Sequence, residues 1–177
     1  MKRNGDWMTT FSGRMFWPAD PLPEDIFIED VAHHLSLLCR YTGAVRKHFS
    51  VAQHSVMVSE IVPDEDALWG LLHDAAEAYL NDLNRPVKVQ LASYRDMECR
   101  LLKAVADRFG LPWPMPESIH HADLVLLATE RRDLLNHGNH VWDCIRGIDA
   151  LTGPIVSWQP VVAEHAFLTR YKELVQQ

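Results

Sequence analysis

Two histidines and two aspartates, in the order His…His-Asp…Asp, mark the part of this chain that could do chemistry. They are His54, the doublet His73-Asp74, and Asp123. Imidazole nitrogen mixed with carboxylate oxygen is a donor set that divalent ions from magnesium to zinc accept. An ion held this way turns water into a nucleophile at neutral pH, so the set points to metal-dependent hydrolysis. Glu77 follows the doublet by one helical turn, which brings it over the same edge of a helix. That position suits a carboxylate beside the ion rather than on it. An isolated His-Asp dipeptide is more simply a hydrogen-bonded core pair, because buried polar groups are usually paired. The company that this doublet keeps argues for an ion instead.

Helices must position these residues. Asp30 to Arg40 reads as a helix stopped by Gly43. Ser50 offers an N-cap to the next, on which Val51, His54, Ser55 and Val58 share one face before Pro63. Asp64 or Asp66 opens a helix through Leu68, Trp69, Leu71, Leu72, Ala75, Ala76 and Tyr79. It is apolar nearly all round, which predicts a central helix. Asn81 to Pro86 breaks the pattern. Ser93 to Phe109 is amphipathic and closes at Gly110. Pro112, Pro114 and Pro116 form a stiff connection to a helix over Glu117–Asn136. Gly138 to Pro160 is mixed, and a last helix covers Val161–Val175. Ahead of all this, Pro18, Pro21 and Pro23 exclude helix interior, and Thr10–Trp17 reads as a short strand or hairpin. The expected fold is one all-α domain, a compact bundle of five to seven helices. Residues 1–29 form its irregular N-terminal segment, 30–136 the metal-binding helical core, and 137–177 a C-terminal region ending in a helix.

The bulk properties exclude other classes. A net charge of −7 argues against general nucleic-acid binding through a basic surface. Cys39, Cys99 and Cys144 are odd in number and widely spaced. They suggest neither a disulfide framework nor a cysteine zinc site, and reduced, mostly buried thiols are expected. Met1–Gly13 lacks an apolar signal core, and no apolar run is long enough to span a bilayer. A cytoplasmic protein without a membrane partner is expected. Trp69, Tyr79 and Trp142 read as core or interface residues, which leaves monomer and homodimer both open.

Three segments together carry a resemblance: Ser50-Val51-Ala52-Gln53-His54-Ser55, His73-Asp74-Ala75-Ala76-Glu77 and His121-Ala122-Asp123. The ordered set resembles the HD superfamily of metal-dependent phosphohydrolases, over about residues 32–132. The resemblance implies one divalent ion (Mn, Co, Mg, Zn, Fe or Ni) on His54, His73, Asp74 and Asp123. A narrower likeness lies in Glu77 followed by Asn81-Asp82-Leu83-Asn84-Arg85-Pro86-Val87-Lys88. It looks like the bacterial 5′-deoxynucleotidases, with Asn81 where that family has Gly and Asn84-Arg85 replacing a Pro-Thr pair. This implies Glu77 and Asp82 as the catalytic carboxylates. It also implies Arg40, of the pair Arg40-Tyr41, as a phosphate-binding residue, a role its planar fork suits. Lys88 would add positive charge for the substrate. The Asp30–Gln53 stretch and the chain's length resemble phage- and prophage-encoded HD proteins as well. The expected activity is release of phosphate from deoxynucleoside 5′-monophosphates. The alternatives are another nucleotide substrate (cyclic, alarmone or triphosphate) and a non-catalytic binding module. Dinuclear HD phosphodiesterases carry further histidines between the doublet and the final Asp. Here only His120 and His121 stand there, directly before Asp123.

The remaining candidates have plainer readings. His33-His34 is expected in a supporting or surface role, and His120 and His121 in a supporting one, with contact of one of them to substrate or ion as the alternative. His137 and His140 are separated by Gly138-Asn139, which interrupts a helical ligand spacing. Arg46-Lys47-His48 reads as a solvated turn, and Arg131-Arg132 as a charged helix face.

Overall fold

The Ser50 hydroxyl accepts the Gln53 amide at 3.1 Å and so starts helix α2, Val51–Ile61, at the residue the N-cap preference predicts. This helix is the centre of the molecule. Val51 to Val56, Val58 and Ser59 are all buried, and α1 (Ile28–Leu37), α3 (Ala67–Leu72), α7 (Glu117–Leu134) and α8 (Pro160–Val175) pack around it. Two very short helices, α4 (Glu77–Leu80) and α5 (Arg85–Lys88), and the long α6 (Ala92–Phe109) complete the fold. The structure is a computed structural model that describes residues 3–136 and 138–176. Among these residues five helices have ten or more residues and three are shorter, as expected of an all-α bundle. None of them is long and apolar enough to cross a membrane.

The core has two lobes. Phe16, Ile26, Leu35, Leu71, Leu72, Leu101 and Phe167 fill one, and Val58, Trp69, Ile119 and Leu126 fill the other. Leu102, Leu111 and Leu174 lie against both, which joins the lobes into one apolar body. The lobes meet where α2 and α3 cross closely at Gly70. A Cβ there would lie 2.8 Å from the Ser59 Cα. The turn reversing from α6 uses Gly110 at a left-handed φ of 69°, the conformation in which glycine lacks a steric penalty.

The helix predicted from Asp64 or Asp66 to Tyr79 is not continuous. It gives way after Leu72 to a tightly wound stretch over residues 73–76 and resumes as α4. The Ala75 amide reaches back only three residues, to Leu72 O at 3.0 Å, and Glu77 reaches Asp74 O at 2.9 Å. Such i→i+3 winding eclipses side chains three apart, and it often marks a functional segment when it interrupts a helix. Periodicity cannot reveal it, because the apolar pattern runs through unbroken.

The N-terminal segment forms a hairpin, β1 (Met8–Thr9) antiparallel to β2 (Met15–Phe16). Phe16 is fully buried and stacks on Tyr79 at 3.9 Å. Buried Asp30 accepts the Ser12 amide and hydroxyl at 2.7 and 2.8 Å, so the hairpin tip is tied to α1. His34 donates from Nδ1 to Ala78 O at 2.8 Å and accepts the Phe11 amide at Nε2 at 3.0 Å. His33 stacks on Phe11 and meets Glu164 at 3.1 Å. Both histidines are thus packing residues, as their supporting reading predicts.

The segment between α7 and α8 is irregular apart from a 3₁₀ turn at Asp143–Ile145. The Gln53 side chain holds it to α2 by donating to Val156 O and accepting the Trp158 amide, each at 2.8 Å. One expectation fails here. The three cysteines are free, but Cys99 and Cys144 are exposed and Cys39 is half-buried. Cys99 lies on the solvent side of amphipathic α6, and Cys144 lies in the exposed 3₁₀ turn.

At the α2–α3 crossing the atom facing Gly70 is backbone, which cannot rotate away. Gly70→Ala should therefore destabilise the fold by roughly 1–3 kcal/mol, the range for overpacking a tight contact. A shift of that size is readable as a lower denaturant midpoint at unchanged slope.

Candidate metal centre

His54 is fully buried on α2, and its two nitrogens face different partners. Nδ1 lies 2.6 Å from Oε1 of Glu130. The carboxylate is held below its ordinary pKa: burial opposes this, but Arg40 and His54 outweigh it. An ionised carboxylate only accepts, so Nδ1 carries the hydrogen. His73 is fixed similarly, with Nδ1 donating to Gly70 O at 2.8 Å. Each ring thereby presents Nε2 to the same point, and the two Nε2 atoms are 3.3 Å apart.

In the neutral tautomers those atoms are bare lone pairs, and lone pairs facing at this distance repel. The carboxylates add more negative charge. Asp123 Oδ1 lies 3.2 Å from His54 Nε2, and Asp74 Oδ2 lies 3.2 Å from His73 Nε2 and 3.7 Å from His54 Nε2. The arrangement calls for a cation. Protonation is one answer: burial and Arg40 disfavour it, yet Glu130 and Asp123 raise His54 to about 9. Burial is likewise overcome at Asp123, whose bond to His54 lowers it to about 2, and at Asp74, which His73 holds far below the carboxylate range. A metal ion is the other answer. Donor atoms of His54, His73 and Asp123 all lie within 4.8 Å of one another, so these three could hold one.

Arg40 was expected at the end of a helix but begins a short 3₁₀ turn, Arg40–Gly43. Its Nε donates to Glu130 Oε2 at 3.1 Å and its Nη1 lies 3.4 Å from Asp74 Oδ2. Tyr41 and Thr42 follow at φ of 58° and 52°, the left-handed region that a β-branched threonine rarely adopts. The cost is of order 1–3 kcal/mol per residue. This backbone delivers the Tyr41 hydroxyl to Glu130 Oε2 at 2.5 Å, and Thr42 Oγ1 accepts the Asn84 side-chain amide at 2.9 Å. The Arg40 turn and the Asp82 loop are therefore tied together.

Glu77 is buried, with Oε1 3.8 Å from Lys88 Nζ and Oε2 without a hydrogen-bond partner among the described residues. Burial, then Asp74 and Asp82, push its pKa well above the ordinary value. Asp82 is half-buried and is also raised, by burial and by Asp74, against the opposing pull of Arg40. Lys88 is ion-paired to Glu98 at 2.5 Å, so it is not a free surface cation. All eight residues singled out in the sequence thus belong to one electrostatically linked cluster. His120 and His121 are exposed. His137 lies outside the described residues, so its spacing to His140 stays a reading of the sequence.

Glu130 escaped the sequence reading, yet it touches His54, Arg40 and Tyr41 at once. The signal was available: Glu130 follows Asp123 by seven residues, two turns on the same face of α7. An acid on the inward face of a helix needs a partner. Glu130→Ala should leave Arg40 buried with only the longer Asp74 contact. The expected loss is near the lower end of the roughly 3–5 kcal/mol for breaking a buried ion pair. Chemical denaturation of the variant beside Glu130→Gln measures it, with the glutamine variant losing less.

No protein-family model matches the chain. It is 38% identical over 171 residues to "Uncharacterized protein YfdR" of Escherichia coli (strain K12), spanning 95% of each chain. It is also 39% identical over 126 residues to "Uncharacterized protein RCAP_rcc00048" of Rhodobacter capsulatus, spanning 66% of this chain and 64% of the relative. The extent of the first match makes the assignment: the chain belongs to the family of YfdR.

Proposed function

We propose that this protein is a metal-dependent phosphohydrolase of the HD type that releases phosphate from deoxynucleoside 5′-monophosphates. The observation that carries the reading is the pair of imidazole Nε2 atoms 3.3 Å apart, each ring turned by an Nδ1–H committed elsewhere. His54, His73, Asp74 and Asp123 would hold one divalent ion. When bound, such an ion offsets charge on the phosphoryl group and acidifies water.

The chain's own residues do the rest. Glu130 and the Gly70 carbonyl fix the tautomer and aim of the two histidines, the arrangement that outer partners of ligating imidazoles commonly provide. Arg40 is clamped between Glu130 and Asp74 and brings a fixed positive charge to the phosphate position. Buried Glu77, whose pKa burial and Asp74 push well above the ordinary value, is placed to give a proton from Oε2 to the leaving 5′ oxygen. Asp82, less buried, orients the attacking water. Lys88 offsets Glu98 and Glu77 and adds positive charge near the substrate. An acidic chain can bind an anionic substrate because these cations are gathered at one place.

Three variants separate the roles. Asp74→Asn and Asp123→Asn should each lose the ion and turnover together. Glu77→Gln should keep the ion and lose turnover by about 100-fold or more, the size of a general-acid contribution. The measurements are metal content after gel filtration and phosphate release from a panel of nucleotides with Mn, Co, Mg and Zn. Loss of the ion from Glu77→Gln would make Glu77 a ligand. Absence of release from every nucleotide would favour a non-catalytic module.

A further inference from the structure

α7 turns a second face toward a cavity of about 260 Å³. Its wall includes Ala128 and Arg131 of α7 and Val141, Trp142, Ile145 and Ile148 of the irregular segment. Arg131 follows Glu130 directly and so lies about 100° around the helix from it. The cavity and the metal centre are therefore neighbouring faces of one helix. Tyr41 bridges them: its hydroxyl is bonded to Glu130, and its ring centroid lies 6.4 Å from that of Trp142.

The chemistry of the wall is specific. Trp142 supplies a flat apolar face, and the Arg131 guanidinium carbon lies 5.7 Å from its ring centroid. The Arg131 Nε–H is buried and has no hydrogen-bond partner among the described residues. The guanidinium is held there by Nη2, which donates to His140 O, and it places a positive charge at the cavity wall. The volume is below the roughly 300–1,000 Å³ of sites that take drug-sized molecules, so it suits a single ring system. A planar heterocycle with ring nitrogens or carbonyl oxygens on its edge matches both the stacking face and the cation beside it.

We propose that this cavity is the subsite for the base of the nucleotide, with Trp142 as the stacking platform and the Arg131 guanidinium as the cation beside an acceptor on the base edge. The proposal rests on the phosphohydrolase reading for the position of the phosphate. It adds a residue, Trp142, that decides whether a nucleotide is preferred to phosphate alone.

The test is titration calorimetry on Mn-loaded Glu77→Gln protein, which binds without turnover, with and without Trp142→Ala or Trp142→Phe. The probes are 2′-deoxyadenosine and 2′-deoxyguanosine 5′-monophosphate and inorganic phosphate. Trp142→Ala should raise the nucleotide Kd roughly 10- to 100-fold, the loss of about one base–aromatic stack, and leave the phosphate Kd unchanged. Trp142→Phe should restore most of the affinity. Unchanged nucleotide binding in Trp142→Ala would overturn the proposal, as would a parallel loss of phosphate binding or no nucleotide binding by the parent. The two readings fail separately. Trp142-dependent binding by a wild-type protein that releases no phosphate would keep the subsite and remove the phosphohydrolase. Phosphate release with a KM indifferent to Trp142→Ala would do the reverse.

Discussion

Two imidazole lone pairs facing each other across 3.3 Å need a positive charge between them, and much of this fold serves to keep them there. His54 sits on the most enclosed helix, where rotation of its ring is blocked by Glu130 on one side and Asp123 on the other. His73 opens the tightened stretch, and the Gly70 carbonyl at the end of α3 takes the opposite ring nitrogen. Gly70 therefore serves twice, through its missing side chain at the α2–α3 crossing and through its carbonyl at the histidine. Moving α3 off α2 would disturb both.

Charge in the centre is layered. Four carboxylates, Asp74, Asp123, Glu130 and Glu77, surround two imidazoles, with Arg40 as the buried permanent cation among them. Three of the four are held below the ordinary carboxylate range by Arg40 and the imidazoles beside them, and the fourth, Glu77, is driven toward the neutral form because it is buried beside Asp74 and Asp82. The strained Arg40–Gly43 turn keeps Arg40 in place, and backbone strain of this kind is concentrated at functional sites.

Much of this was legible in the sequence. The N-cap at Ser50, the stop at Gly110 and the proline-marked connection before α7 follow from local backbone chemistry, which acts without tertiary context. The histidines and aspartates stood out because such donors, in that order on helices, have a shared destination. What stayed hidden depends on contacts distant in sequence. The winding at residues 73–76 is invisible to periodicity, since the same apolar residues serve an α-helix and a tighter one. Glu130 has a visible place on the inward face of α7 but no visible partners until Arg40 and His54 are brought to it from 90 and 76 residues away. Lys88 likewise reads as a free cation until α5 docks on α6 and presents Glu98.

The central claim is that both imidazoles converge on one ion, and X-ray absorption spectroscopy of zinc- or manganese-loaded protein tests it most directly. The account predicts one ion per chain with two imidazole nitrogens in its coordination shell, at about 2.0–2.1 Å if the ion is zinc. His54→Ala should lose the ion or reduce the shell to one imidazole. A protein that takes up no ion, or an ion coordinated by oxygen alone, would contradict it.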